Sequence, residues 1–179
     1  HTIVTNVATA AAIADAVIDG KPLIERITTV TGKVINPANL RVRIGTIVAD
    51  MIGECGGYSE EAGKIVMGGG MTGVCAANAD LPIAKANGGV VVYNEKDAKS
   101  VVEEPCIRCA HCVEACPMGL DPYKLKHLCD AGNLEGAKAN HVMDCILCGC
   151  CSYACPSRRW LTAAFKNTKD AIAAAARRK

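Results

Sequence analysis

Apolar and polar positions change rhythm several times along the chain. From Asn6 to Gly20 nearly every position is apolar or small, and Val7, Ala10, Ala11, Ala14, Val17 and Ile18 recur at helical spacing on one face. Asn6 suits an N-cap and Gly20 a left-handed exit, so a helix is predicted here, after a strand end at His1 to Val4. Within this stretch the apolar face has little to bury against, which predicts a domain upstream of it. The chain starts at His1 without an initiator Met and is read as the later part of a longer polypeptide.

Between residues 23 and 75 β-branched and alternating segments take over. Arg26 to Gly32 and Leu40 to Gly45 are predicted strands, joined by the turn chemistry of Gly32 to Asn39 with its Asn36-Pro37. A helix follows with Thr46 as N-cap, Ile47, Met51 and Ile52 on its buried face, and Gly56-Gly57 at its end. Gly63 to Gly68 returns as a strand, Gly89 to Tyr93 is another, and Glu95 to Glu104 is a charged connector, helical or extended. Strand, strand, helix, strand with tight glycine turns resembles a β-grasp unit. Beyond Cys106 the helical period returns. Pro122 to Asp130 and Asn133 to Asn140 are predicted helices split by Gly132, and another runs from Ser157 toward Ala176. The fold class is therefore α+β, a β-grasp domain followed by a mainly helical one.

Composition narrows the function. Half of the 179 residues are apolar, enough for a real core, and the cysteine-rich last third differs from the first hundred residues, so two domains are expected. A net charge of +2 and 3% aromatic residues supply neither the basic surface nor the stacking rings that nucleic-acid binding uses. No apolar run approaches the length of a bilayer span.

The chemistry concentrates in two runs, Cys106-Ile-Arg-Cys109-Ala-His-Cys112-Val-Glu-Ala-Cys116-Pro117 and Cys145-Ile-Leu-Cys148-Gly-Cys-Cys151-Ser-Tyr-Ala-Cys155-Pro156. In both, three thiols lie three residues apart and a fourth precedes proline. That spacing wraps three thiolates around the corners of an iron–sulfur cubane, and in two-cluster ferredoxins the fourth goes to the partner cluster. Two [4Fe–4S] clusters are expected, one on Cys106, Cys109, Cys112 and Cys155, the other on Cys116, Cys145, Cys148 and Cys151. Each proline, with fixed φ and no N–H, turns the chain away from its cluster. Backbone N–H groups from Ile107 to Ala110 and from Ile146 to Gly149 are the expected donors to sulfur, and Ile107, Val113, Ile146 and Leu147 the expected barrier to water.

Other readings fit less well. Structural zinc uses two separated cysteine pairs, which leaves the third and fourth cysteines of each run without a purpose. A disulfide framework suits small secreted chains, whereas this sequence shows no signal segment. Gly68-Gly-Gly-Met-Thr-Gly73 lacks the Gly-Lys-Ser/Thr of a phosphate loop and is read as a turn beside a partner's backbone. Cys55, Cys75 and Cys129 read as small core residues. Cys150 neighbours Cys151, but only Cys151 preserves the spacing of the first run. His111, His127 and His141 read as surface groups or as modifiers of the potential. Arg108, Lys124, Lys126, Arg158 and Arg159 form either a guiding basic surface or a solvated one. The last helix, with Trp160, Leu161, Ala164 and Phe165 at helical spacing, ends in Arg177-Arg178-Lys179, a solvated basic end or a contact for a membrane partner.

These motifs carry a family resemblance over nearly the whole chain. Cys106 to Leu120 and Asp144 to Ser157 resemble the iron–sulfur region of the C subunit of the Rnf complex. Gly20 to Gly32, Val42 to Thr46 and Gly68 to Met71 resemble that subunit's SLBB-type β-grasp domain, and Thr5-Asn6-Val7 resembles the end of the flavin- and NADH-binding domain it shares with the flavin subunit of respiratory complex I. The resemblance implies three parts: residues 1–22, the end of a truncated flavin domain; 23–98, the SLBB-like domain and connector; and 99–179, the helical ferredoxin domain. It implies a translocase subunit peripheral to the cytoplasmic face of the cell membrane. There it relays electrons in a ferredoxin:NAD+ oxidoreductase that moves Na+ or H+. The implied partners are other subunits of the membrane complex, a ferredoxin-like subunit among them, with FMN and NADH confined to the missing upstream domain. No catalytic or nucleotide-binding residue is assigned to these residues. The alternative is an electron-delivering component of a soluble reductase such as a corrinoid reductase.

Overall fold

The computed structural model describes residues 3–99 and 101–177, so His1 and Thr2 of the expected strand end, Ser100 of the connector and Arg178 and Lys179 of the basic end lie outside the described residues. The chain divides into two compact units, 1–99 and 100–179.

The first unit begins with α1 (Val7–Ile18), where the Asn6 side chain accepts a 2.9 Å bond from the Ala8 N–H and Gly20 takes φ +64°. No residue of α1 is buried. A sheet follows, with β1 (Glu25–Gly32), β2 (Ala38–Arg43), β3 (Ala62–Met67), β4 (Val74–Cys75) and β5 (Gly89–Asn94) in the order β2-β1-β5-β3-β4. β1 and β2 form a hairpin, β5 runs parallel to β1 and antiparallel to β3, and β4 hangs on the edge of β3. The period of two places Val30, Val42, Val66, Val90 and Val92 on buried positions, while Thr29 and Arg41 face water. Over this face lies α2 (Val48–Glu54), whose Val48, Met51 and Ile52 close the core with Cys55 and Ile83. The β-grasp arrangement results from a hairpin and a later strand pair clasping one helix. Gly32 is required at its position, because a Cβ there would run into the Val92 carbonyl oxygen.

Several expectations need correction. Thr46 does not cap α2, since its hydroxyl donates backwards to the Arg43 carbonyl at 2.8 Å, and Ile47 occupies the cap position with a backbone bridge to Pro82. The glycine run turns beside the chain's own backbone, with a Cβ on Gly73 meeting the Gly69 carbonyl at 2.5 Å. It leads into β4, too short to read from sequence. Cys75 is exposed on that edge strand instead of in the core. Among its described residues the charged connector is helical at α3 (Glu95–Ala98), capped by the Asn94 side chain, and extended beyond.

In the second unit an extended segment reaches Cys106. It continues through α4 (His111–Glu114), α5 (Pro122–Asp130), α6 (Leu134–Ala139), a 3-10 turn (Val142–Asp144), α7 (Cys150–Ala154) and α8 (Leu161–Arg177). Asp121 caps α5 through the Lys124 N–H and Asn133 caps α6 through the Gly136 N–H. α4 lies against α7, and α8 packs on α5 and α6. Leu125, Ala137, Val142, Cys151, Leu161 and Phe165 form the apolar centre, onto which Cys112, Cys145 and Cys155 are packed. Trp160 precedes α8 and stays about half exposed, while Leu161 and Phe165 point inward.

Candidate metal centre

The two cysteine runs fold alike, residue for residue. Arg108 in the first and Leu147 in the second have φ +56° and +55°, Ala110 and Gly149 +66° and +85°, and Gly119 and Arg158, each beyond its Cys-Pro pair, +63° and +50°. Non-glycine residues adopt the left-handed region only at a cost of order 1 kcal/mol or more. Its recurrence at matching positions shows that the loop path is imposed by the motif and not by local preference. Alternating left- and right-handed residues turn successive N–H groups toward one side, a nest that favours negative charge. The Arg108 N–H accordingly donates to Cys106 Sγ at 3.4 Å, and the Leu147 N–H serves Cys145 in the same way. A further N–H, from Leu120, donates to Cys116 Sγ at 3.4 Å.

Which thiols meet is decided between the runs. Burial pushes the Cys112 thiol up, against the pull of its own N–H, and the charges that add to the shift are those of Cys155, Cys106 and Cys109. One of its sulfur neighbours thus comes from the second motif. Burial likewise raises Cys145, with Leu147 and Lys169 opposing and Cys116 and Cys148 adding. Cys151 is raised by burial and feels Cys145 and Cys148. Cys116, Cys145, Cys148 and Cys151 line one pocket, closed on its other sides by Leu120, Leu147 and Phe165. Each run therefore lends its last cysteine to the neighbourhood of the other. All twelve cysteines are free thiols, and among the described residues no three His, Cys, Asp or Glu side chains converge as ligands of a single metal ion. The donor set, soft and all-sulfur, fits iron–sulfur clusters. Thiols that resist ionising together are those a bound cation would deprotonate.

The approach of Cys155 to the first run has a specific cause that sequence reasoning missed. The Trp160 N–H donates to the Glu103 carboxylate at 2.6 Å, the Glu104 N–H to the Ser157 carbonyl at 3.1 Å, and the buried Ser157 hydroxyl to the Pro105 carbonyl at 2.9 Å. Three bonds strap residues 103–105 to residues 157–160, which brings Cys106 alongside Cys155. The only sequence signal was the shared placement of an acidic pair before the first cysteine and a serine after the last proline.

Some neighbours behave differently from expectation. Lys126 is buried and held by Asp130 at 2.6 Å, with Glu103 at 3.8 Å and Arg159 also on Asp130 at 3.4 Å, so it braces the module and does not present charge outward. Arg108, Lys124 and Arg158 are exposed. Ile107 is 67% exposed and lies outside the pocket lining; Ile146, though 59% exposed, and Leu147 line the pocket as expected, joined by Leu120 and Phe165, which the sequence reading did not name. His111, His127 and His141 are all at the surface, His141 beside Asp144 at 3.3 Å. The Cys150 thiol pKa is raised, chiefly by its interaction with Cys148. Cys55 is buried in the sheet unit, and Cys129 packs against the helical core.

Within the β-grasp sheet unit, residues 27–74 match the SLBB domain family, and the doubled cysteine loop on a helical frame is of the ferredoxin kind. The match stops at β4, before β5 completes the sheet. Over 136 residues, 75% of this chain and 26% of the relative, the sequence is 44% identical to the C subunit of the ion-translocating oxidoreductase complex of Rhodobacter capsulatus. Over 140 residues, 78% and 31%, it is 44% identical to the C subunit of the proton-translocating ferredoxin:NAD(+) oxidoreductase complex of Clostridium ljungdahlii. Over 169 residues, 94% and 38%, it is 37% identical to the C subunit of the ion-translocating oxidoreductase complex of Methanosarcina acetivorans. The chain resembles these C subunits over most of its own length and spans roughly a third of theirs. No helix among the described residues is long and apolar enough to cross a membrane.

Proposed function

We propose that this chain is the electron-relaying part of a C subunit in a membrane-associated ferredoxin:NAD+ oxidoreductase complex that couples electron flow to Na+ or H+ translocation. In this reading it holds one [4Fe–4S] cluster on Cys106, Cys109, Cys112 and Cys155 and another on Cys116, Cys145, Cys148 and Cys151. It sits peripherally at the cytoplasmic face through the other subunits. The observation that supports the reading is the pocket that Cys116 of the first run lines together with Cys145, Cys148 and Cys151 of the second, while the strap from residues 103–105 to residues 157–160 draws Cys155 toward Cys106. The names of the similar proteins carry the ion-translocating context.

Bound there, the clusters supply one-electron redox centres of the kind whose potentials follow charge, hydrogen bonding to sulfur and exposure. The chain's own contribution is fixation and insulation. Eight thiolates hold, the N–H groups of Arg108, Leu147 and Leu120 stabilise negative sulfur, and Leu120, Leu147 and Phe165 keep water from one side. The strap from Glu103 to Trp160 keeps the two runs in register.

Anaerobic reconstitution with iron and sulfide counting should give about eight irons per chain. Paired substitutions test the wiring. Cys116→Ala with Cys148→Ala should leave one centre by EPR, since both belong to one group, whereas Cys116→Ala with Cys112→Ala should leave none. Cys150→Ala should keep both. Zinc in place of iron would overturn the role, and the reverse pattern in the double variants would overturn the crossing. Co-purification with integral membrane subunits separates the complex from a soluble reductase component.

A further inference from the structure

The two cysteine loops match in backbone but not in what surrounds their sulfurs. Beside the group of Cys116, Cys145, Cys148 and Cys151, the half-buried Lys169 of α8 places its ammonium on the carbonyls of Cys145 and Met143 at 2.6 and 3.0 Å. At the first residues of the same helix, Thr162 Oγ1 lies 3.9 Å from Cys151 Sγ and 2.9 Å from Ser152 Oγ. Ser152 Oγ also accepts from the Thr162 N–H at 3.0 Å. As a thiolate Cys151 only accepts, so the threonine hydrogen goes to the sulfur and Thr162 Oγ1 in turn takes the serine hydrogen.

Aligning the two runs in sequence puts Val113 at the position of Ser152, Tyr123 at that of Thr162 and Asp130 at that of Lys169. Valine donates nothing, and Asp130 carries the opposite charge and is engaged by Lys126 and Arg159. Of the cations nearest the first group in sequence, Arg108 and Arg158 are exposed, so solvent and salt screen them, and Arg159 is turned to Asp130. Lys169 is held against the loop and is screened less.

Resting on the two-cluster reading, we infer that Lys169 and Thr162 are positioning residues that make the cluster on Cys116, Cys145, Cys148 and Cys151 the higher-potential member of the pair. Reduction adds negative charge, which a fixed ammonium and a hydroxyl donor to sulfur stabilise. The two centres thus differ in electron affinity although the loops that hold them are copies. Electrons entering the module come to rest on the Lys169 side.

The test is an EPR-monitored redox titration of the reconstituted full chain. Wild type should show two midpoints. Lys169→Met should lower the upper one by at least a tenfold change in the reduction equilibrium, about 59 mV for one electron, and leave the lower one in place. Thr162→Val should move the same midpoint in the same direction by less, and Lys169→Arg should restore it. Iron content measured alongside distinguishes the failures. Wild type without eight irons defeats the two-cluster reading itself. Eight irons in every variant with unmoved midpoints, or with the lower one moving, overturns the inference alone. Should Lys169→Met lose iron, the Thr162→Val titration decides, because that change leaves the lysine clamp on the carbonyls intact.

Discussion

Ala110 and Gly149 occupy the same place in the two loops, and only one of them is suited to it. At φ +66° a Cβ crowds the neighbouring carbonyl, whereas at +85° glycine carries no such penalty. Ala110→Gly should therefore be neutral or stabilising by up to about 1 kcal/mol, because relief of strain offsets the extra freedom of the unfolded chain. Gly149→Val should cost about 2 kcal/mol, since a β-branched side chain would be forced into the left-handed region at a buried position. Denaturant unfolding of the reconstituted protein measures both. The comparison also separates strain accepted for the sake of the loop from strain that would destroy it.

At the scale of elements, two straps decide where chain segments lie. One is the set of bonds from residues 103–105 to residues 157–160 in the cysteine module. The other is in the sheet unit, where Glu60, ahead of β3, accepts from Lys33 Nζ and Asn94 Nδ2, both at 2.7 Å, and so ties the exits of β1 and β5 to the start of β3. The Lys33 bond and then the Asn94 bond hold the Glu60 carboxyl below its ordinary value, and Glu60 raises Lys33. A carboxylate depressed on folding adds stability above its unfolded pKa, near 4.3, and loses it as pH falls through the folded value. The lysine's share is complete below about 10.4 and is lost as pH rises past its raised folded value. Below about pH 4.3 the sheet unit should lose stability more steeply in wild type than in Glu60→Gln, and the difference should shrink in high salt because both groups are exposed. Urea midpoints across that range provide the check.

The molecule divides into two units, which on the proposed reading owe their stability to different things. Residues 1–99 enclose an ordinary apolar core from Val30 to Val92 that needs nothing added. Residues 100–179 pack a smaller core in which Cys151 is itself a buried member and Cys112, Cys145 and Cys155 lean against it. Cluster binding in such a unit is also folding free energy. Removing iron with a chelator and reductant should melt amide protection across residues 100–179 while leaving the sheet strands protected. Hydrogen exchange reads both at once, and uniform loss over the whole chain would contradict this division of labour.

How much of this was legible beforehand follows from the range of the forces. Cysteine spacing, the Asn6 cap, the α2 stripe and the alternation of β1 are local patterns, so the longer helices, most strands and the eight candidate thiols could be read directly, whereas the one-turn helices α4 and α7 inside the cysteine runs could not. β4 has two residues, and the cap of α2 moved because Thr46 found the Arg43 carbonyl first. Cys75 and Lys126 were misplaced for a related reason: exposure on an edge strand and burial against Asp130 are settled by what arrives from elsewhere in the chain. Taken alone, the sequence determined that two equivalent cysteine loops exist and what they are made of. Tertiary structure alone decided which loop has a lysine on its carbonyls and a threonine beside its sulfur, and how the first run is strapped to the end of the second, because those neighbours come together only when Ser157 is tied to Pro105 and α8 folds back over Cys145.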